Sequence, residues 1–172
     1  MERSSLKPNE FAPYYGRYIN MLPETTTLDT GFQDGKTTLV QFFSSLPKMK
    51  WDYRYEEGKW TIKEVLQHLI DAERIFSYRC FRIARRDNTL LSDFDQTGYT
   101  IPSKASEKSM EKLLSEFQIN RNNTIALLNS LSEEDLSHIG NVNGNPMSAR
   151  AAAFSIIGHD IWHMESIKTK YL

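Results

Sequence analysis

The chain has one cysteine, Cys80, in 172 residues, which excludes an intramolecular disulfide and fits a reducing compartment. Cys80 falls on an apolar helical stripe and reads as a small core residue, not a nucleophile. Long apolar runs are also missing, and nothing approaches the roughly 18 residues of a membrane span. Residues 1–18 are polar and interrupted by proline, without the roughly 7–15-residue apolar region of an export signal. Charge of one sign is not in excess: 21 Lys and Arg stand against 22 Asp and Glu, a net −1. Such a balance creates no field that would draw nucleic acid or an anionic membrane. Convincing β-strands, internal repeats and low-complexity tracts are absent. The expectation is a soluble cytoplasmic protein with no nucleic acid and no membrane among its partners.

What is present is helical. The composition, 40% hydrophobic and 25% charged, suits one domain over residues 1–172. Residues 1–30 read as an arm, with Phe11, Tyr14, Tyr15, Tyr18, Ile19 and Leu22 packing onto the domain and Pro13 and Pro23 limiting any helix there. A first main helix is expected over 36–46, carried by Leu39, Phe42, Phe43 and Leu46 and stopped by Pro47. The second, 61–85, opens on the capping box Thr61-Ile62-Lys63-Glu64. A loop over 87–106 follows, and a loop of that length in a small domain commonly covers a site. The third helix is expected over 106–130, and Ser132 caps a short turn after it. Gly140 to Pro146 reads as a tight turn. The fourth helix, 148–171, is capped by Ser148. The fold class is all-α, a four-helix bundle whose long connection between helices 2 and 3 permits a crossover.

On the fourth helix, Gly158-His159-Asp160-Ile161-Trp162-His163-Met164 carries two histidines four apart. Residues i and i+4 share a helix face, so both imidazoles can reach one divalent ion. Spacing alone leaves open two histidines on a half-buried face. A zincin is disfavoured, because Asp160 stands where that motif has Glu. A third ligand must come from His68 or His138. His68 shares the inward face of the second helix with Val65, Ala72 and Ile75, whereas His138 lies in a polar segment beside a turn. The expected metal ligands are therefore His68, His159 and His163, a set that leaves coordination positions open, as in catalytic sites. Asp71, Glu64 and Asp160 are candidates to orient an imidazole, or otherwise solvated carboxylates. Asp71 and Glu64 are the candidate catalytic acids, and Arg79 or Arg82 could hold a substrate carboxylate.

Taken together, Gly58-Lys59-Trp60-Thr61-Ile62-Lys63-Glu64, His68-Leu69-Ile70-Asp71-Ala72-Glu73-Arg74, Ser148-Ala149-Arg150 and Gly158-His159 with His163 resemble the DinB/YfiT-like superfamily, from about residue 30 onward. Met164 departs from that pattern, since relatives often have a further histidine there. The resemblance implies a four-helix bundle, a homodimer, and a divalent metal, zinc or nickel with iron as an alternative, on His68, His159 and His163. It further implies a small-molecule substrate, with either a low-molecular-weight thiol activated for S-transfer or water activated for hydrolysis. The alternative is a bundle that binds metal or a small molecule without chemistry.

Overall fold

The computed structural model describes residues 1–172. Its helices are α1 (Pro13–Ile19), α2 (Leu28–Ser45), α3 (Ile62–Ala84), α4 (Thr100–Ser103), α5 (Met110–Asn129), α6 (Glu133–Ser137) and α7 (Ala149–Lys170). A two-stranded hairpin, β1 (Ile139–Val142) and β2 (Asn145–Ser148), lies between α6 and α7. The four long helices are α2, α3, α5 and α7. Each begins where a hydroxyl accepts an otherwise unpaired amide: Thr27 from Thr30, Thr61 from Glu64, Ser109 from Lys112, and Ser148 from Ala151.

Helices α2 and α3 each pack on both α5 and α7, so the consecutive helices α2 and α3 stand at diagonal corners. Side-chain bonds between α3 and the α5 region advance in the same direction along both: Lys63 to the Ser106 carbonyl, Gln67 to Lys108, Glu73 to Arg121. The two helices are therefore parallel, and residues 85–109 must return the length of the bundle. This is the crossover that the long connection permitted, and it brings the segment around Phe94 back over one side of α3.

Two expectations need correction. Helix α2 starts at Leu28, not near Lys36, because Gly31 and Gly35 sit inside it. A Cβ on Gly31 would stand 2.6 Å from Ile157 Cδ1, so glycine there lets α2 close on α7. Strands were not expected, yet Ile139 pairs with Ser148 and Val142 with Asn145. The hairpin exists because Asn143 and Gly144 both take positive φ, 50° and 80°, the backbone of a tight turn matched to strand twist. Gly140, Asn141 and Pro146 hide the flanking strands from a propensity reading.

The core is in two parts. One joins Ile19 and Leu22 of the arm region to Phe32, Phe76 and Phe154. The other joins Leu39, Phe43, Leu66, Phe117 and Ile167. Between them lies a polar layer at one level of the bundle: Gly35 on α2, Glu73 on α3, Arg121 on α5, and His159, Asp160 and His163 on α7. No helix is long and apolar enough to cross a membrane.

Candidate metal centre

Three imidazoles converge in that layer. His68 comes from the second turn of α3, and His159 and His163 from the middle of α7. The Nε2 atoms of His68 and His159 are 3.2 Å apart, and those of His163 and His159 are 3.0 Å apart. All three side chains are buried. Two nitrogens at zinc-bonding distance from one ion lie about 2.9 Å apart at a right angle and about 3.3 Å apart at a tetrahedral angle. The observed separations fall in that interval. One Nε2 cannot accept from two neighbours and also donate, so three Nε2 atoms meeting at a point suit a shared cation better than a hydrogen-bond chain. The donor set fits a divalent metal.

Aromatic rings enclose the triad. Trp60 lies 4.6 Å from the His68 ring, Trp162 lies 4.7 Å from His163, and Tyr18 lies 4.9 Å from His159. Burial pushes the His68 pKa down to about 4. His159 and His163 are held well below the usual imidazole value, first by burial and then by the neighbouring imidazoles. All three are thus neutral at pH 7 with lone pairs free to coordinate.

Gly158 explains how α1 reaches this centre. A Cβ there would lie 2.2 Å from the Tyr18 carbonyl oxygen, so only glycine admits the α1 backbone one residue before His159.

The acids singled out from sequence are engaged elsewhere. Glu64 accepts from the Thr61 amide and from Arg54. Asp71 accepts from Gln67 and Arg74. Both line a small pocket beside His68, and neither bonds an imidazole. Asp160 accepts from Arg121 at 2.6 Å, with burial lifting its carboxyl to about 6 against the pull of that guanidinium. His138, at the end of α6, is outside the cluster. Arg79 donates to the Tyr15 hydroxyl, the Ser92 carbonyl and Asp93. Arg82 is bound to Asp87, Tyr78 and Thr89. Both guanidinium groups are thus already held by groups of this chain, although Arg79 Nε has no partner.

Sequence reasoning missed Arg121. It is fully buried and makes a fork of 2.8 and 3.0 Å to Glu73, besides its bond to Asp160. Its guanidinium lies between Phe32 and Phe117. It thereby ties α5 to the two helices that carry the histidines. The signal was present: Phe117, Arg121, Thr124 and Leu128 are spaced as one helix face, and a cation on an apolar face demands partners.

A cavity of about 470 Å³ opens onto His159. Tyr15 and Tyr18 of α1, Phe76 of α3, Phe94 of the crossover and Asn143 of the hairpin turn are among its walls. The crossover is pinned there by the Leu91 amide on the Asn141 carbonyl and the Asn143 amide on the Leu91 carbonyl.

Fold and site define a helical bundle with a three-histidine centre suited to a divalent metal. The model of the DinB superfamily matches residues 32–167, and the chain belongs to that superfamily. No curated protein matches it. Among solved structures it is similar to YfiT from Bacillus subtilis, a probable metal-dependent hydrolase with an unusual four-helix bundle topology. That match has 18% identity and a TM-score of 0.72 over 86% of this chain and 90% of YfiT. It is similar to the DinB-like protein YjoA from Bacillus subtilis at 14% identity and TM-score 0.60, over 84% of this chain and 88% of YjoA. It is also similar to a mycothiol-dependent maleylpyruvate isomerase at 14% identity and TM-score 0.65, over 85% of this chain and 61% of that one. At such identities these likenesses carry the fold alone.

Proposed function

We propose that the protein is a metal-dependent enzyme that activates a low-molecular-weight thiol for transfer to an electrophilic small molecule. His68, His159 and His163 would hold the ion, zinc or nickel before iron. A divalent ion there supplies Lewis acidity, lowering the pKa of a coordinated thiol or water toward neutrality. The observation that carries the thiol version is that no carboxylate is hydrogen-bonded to an imidazole of the triad, whose side-chain bonds run only among themselves. Hydrolysis calls for a general base within hydrogen-bond reach of the attacking water, while Asp160, Glu64, Asp71 and Asp93 are each bound to an arginine and Asp95 accepts from the Thr97 and Gly98 amides. A thiolate needs no such base once its proton has left.

This chain's residues supply the rest. Burial keeps three imidazoles unprotonated, Trp60, Trp162 and Tyr18 exclude bulk water around them, and the cavity beside His159 receives the substrate. Hydrolysis is the second reading, favoured by the small pocket that Glu64 and Asp71 line together with His68. A homodimer is part of the proposal and is checked by light scattering, which should give twice the monomer mass.

The test is elemental analysis of untagged protein, wild type against His68→Ala, His159→Ala, His163→Ala and His138→Ala. One metal per chain is expected in wild type and His138→Ala and loss in the other three. Thiol consumption with a panel of thiols and electrophiles then separates transfer from ester or amide hydrolysis. A wild-type protein that cannot be loaded with zinc or nickel removes the enzyme reading and leaves a binding scaffold.

A further inference from the structure

Arg79, Arg121 and Arg150 are all buried, and two of them are paired alike. Arg121 holds Glu73 and Arg150 holds Glu10, each through Nε and Nη2 on the two oxygens of one carboxylate. Arg79, 1% exposed, lacks that fork. Its Nε has no partner. Its Nη2 donates to the Ser92 carbonyl at 2.9 Å and, at a long 3.4 Å, to Asp93. Leaving a buried donor unpaired is costly, and the planar edge of a guanidinium matches a carboxylate better than any other group.

The Arg79 guanidinium stands just behind the cavity over His159. Tyr15, Phe76, Asp93 and Phe94 lie around it, and all four line that cavity. Asp93 is the loosely held part of this wall. Its side chain is 61% exposed, and besides Arg79 it accepts only from the Phe94 amide. Tyr15 carries a second unspent donor: its hydroxyl accepts from Arg79 Nη1, while its own proton goes to no acceptor of this chain. Arg17, over the Tyr14 and Tyr18 rings that line the same space, adds positive charge nearby. Asp95, the other acid on the lining, accepts from the Thr97 and Gly98 amides of its own turn. The volume of about 470 Å³ falls within the range of about 300–1,000 Å³ usual for small-molecule sites.

We propose that Arg79 and Tyr15 form a carboxylate subsite of this cavity. A substrate carboxylate replaces Asp93 on Nη2, takes up the Nε donor and accepts from the Tyr15 hydroxyl, while Asp93 turns out to solvent. The substrate's apolar or aromatic body lies along Phe76 and Phe94, with its reacting end toward His159. That orientation rests on the reading of the triad as the reaction centre, but carboxylate binding is measured without metal. The full chain, dialysed against chelator, is titrated at pH 7 by calorimetry with phenylacetate, 2-phenylethanol and 2-phenylethylamine, and zinc uptake is measured separately. Phenylacetate should bind at least about tenfold more tightly than the alcohol, with the amine weakest. Asp93→Ala removes the competing acid and should tighten phenylacetate by about threefold or more without changing the alcohol. Tyr15→Phe should weaken phenylacetate by about threefold, and Arg79→Lys, which keeps the charge but not the fork, by about tenfold or more. An Asp93→Ala protein that binds phenylacetate no better than wild type overturns the proposal, since Asp93 is then the permanent partner of Arg79. Phenylacetate binding no tighter than 2-phenylethanol overturns it too, as does absence of binding by all three ligands. Zinc uptake without a carboxylate preference ends this proposal and leaves the metal reading standing; a carboxylate preference without zinc uptake supports the subsite and removes the metal reading.

Discussion

The sharpest consequence of the structure concerns a residue that touches no ligand, Arg121. Replacing it with Met keeps an unbranched apolar body between Phe32 and Phe117 but leaves Glu73 and Asp160 buried with no countercharge. Three hydrogen bonds of 2.6–3.0 Å are lost. Breaking a buried ion cluster by removing one partner costs about 3–5 kcal/mol. With a urea slope of about 2 kcal/mol per molar, the unfolding midpoint should fall by about 2 M. The variant Glu73→Gln/Arg121→Met/Asp160→Asn removes the charges as well as the cation and should recover more than half of that loss. Because Arg121 links α5 to both histidine-bearing helices, Arg121→Met should also weaken metal binding on the order of tenfold, as loss of residues supporting a metal site does. The assays are equilibrium urea unfolding followed by far-UV circular dichroism, and competition for zinc with a chromophoric chelator. A loss below about 1 kcal/mol, or a neutralised variant no more stable than the single one, would refute the reasoning, since either means that the carboxylates are not held by this cation.

Other consequences follow from the same layer and from the arm. Gly158→Ala places a methyl group against the Tyr18 carbonyl, so α1 must move away from α7; a loss of about 1–3 kcal/mol is expected, with increased amide exchange in residues 13–19, and an unchanged midpoint counts against the packing described. Zinc at about one hundred times its dissociation constant should add about 2.7 kcal/mol, a rise in Tm of about 5–10 °C for a chain of this size. Differential scanning calorimetry should show that rise in wild type and none in His159→Ala. Burial raises the Glu10 pKa, but bonds from Arg150, Ser148 and the Lys7 amide outweigh it and leave the carboxyl below its ordinary 4.5. A depressed acid contributes stability that is present above about pH 4.5 and lost as pH falls through the folded value. The gap in urea midpoint between wild type and Glu10→Gln should therefore be widest near pH 6 and narrow below about pH 4.5; a gap constant across that range would show that Glu10 is not held this way.

Much of this was legible because it depends on local chemistry. The caps at Thr61, Ser132 and Ser148 fix helix starts through bonds made within four residues. The apolar stripes mark which faces turn inward, and the four-residue spacing of His159 and His163 places two imidazoles on one face. The start of α2 was not legible, because Gly31 and Gly35 weaken a helix when judged alone and are explained only by the approach of Ile157 from α7. The hairpin had the same difficulty: its turn was written in Asn143-Gly144, while its strands depend on pairing that residues such as Pro146 do not advertise. The charge cluster was hidden more deeply. Glu73, Arg121 and Asp160 lie on three helices, and each alone passes for an ordinary surface charge.

The position of that cluster suggests why the bundle tolerates it. A triad of neutral imidazoles open to a cavity interrupts the apolar core, and the interruption falls at the same level on every long helix: Gly35, Glu73, Arg121 and the His159–His163 turn. An apolar replacement of a buried ion cluster often leaves a protein equally or more stable, so stability alone is a weak account of Arg121. Geometry is a better one. The guanidinium fixes α3 through Glu73 and α7 through Asp160, the residue beside His159, and so fixes the distance between the helices that must present His68 to the other two imidazoles. A slip of half an ångström there would move the Nε2 atoms out of the narrow interval that one ion can bridge. The buried charges and the histidines are two halves of one layer, the first holding the spacing that the second uses.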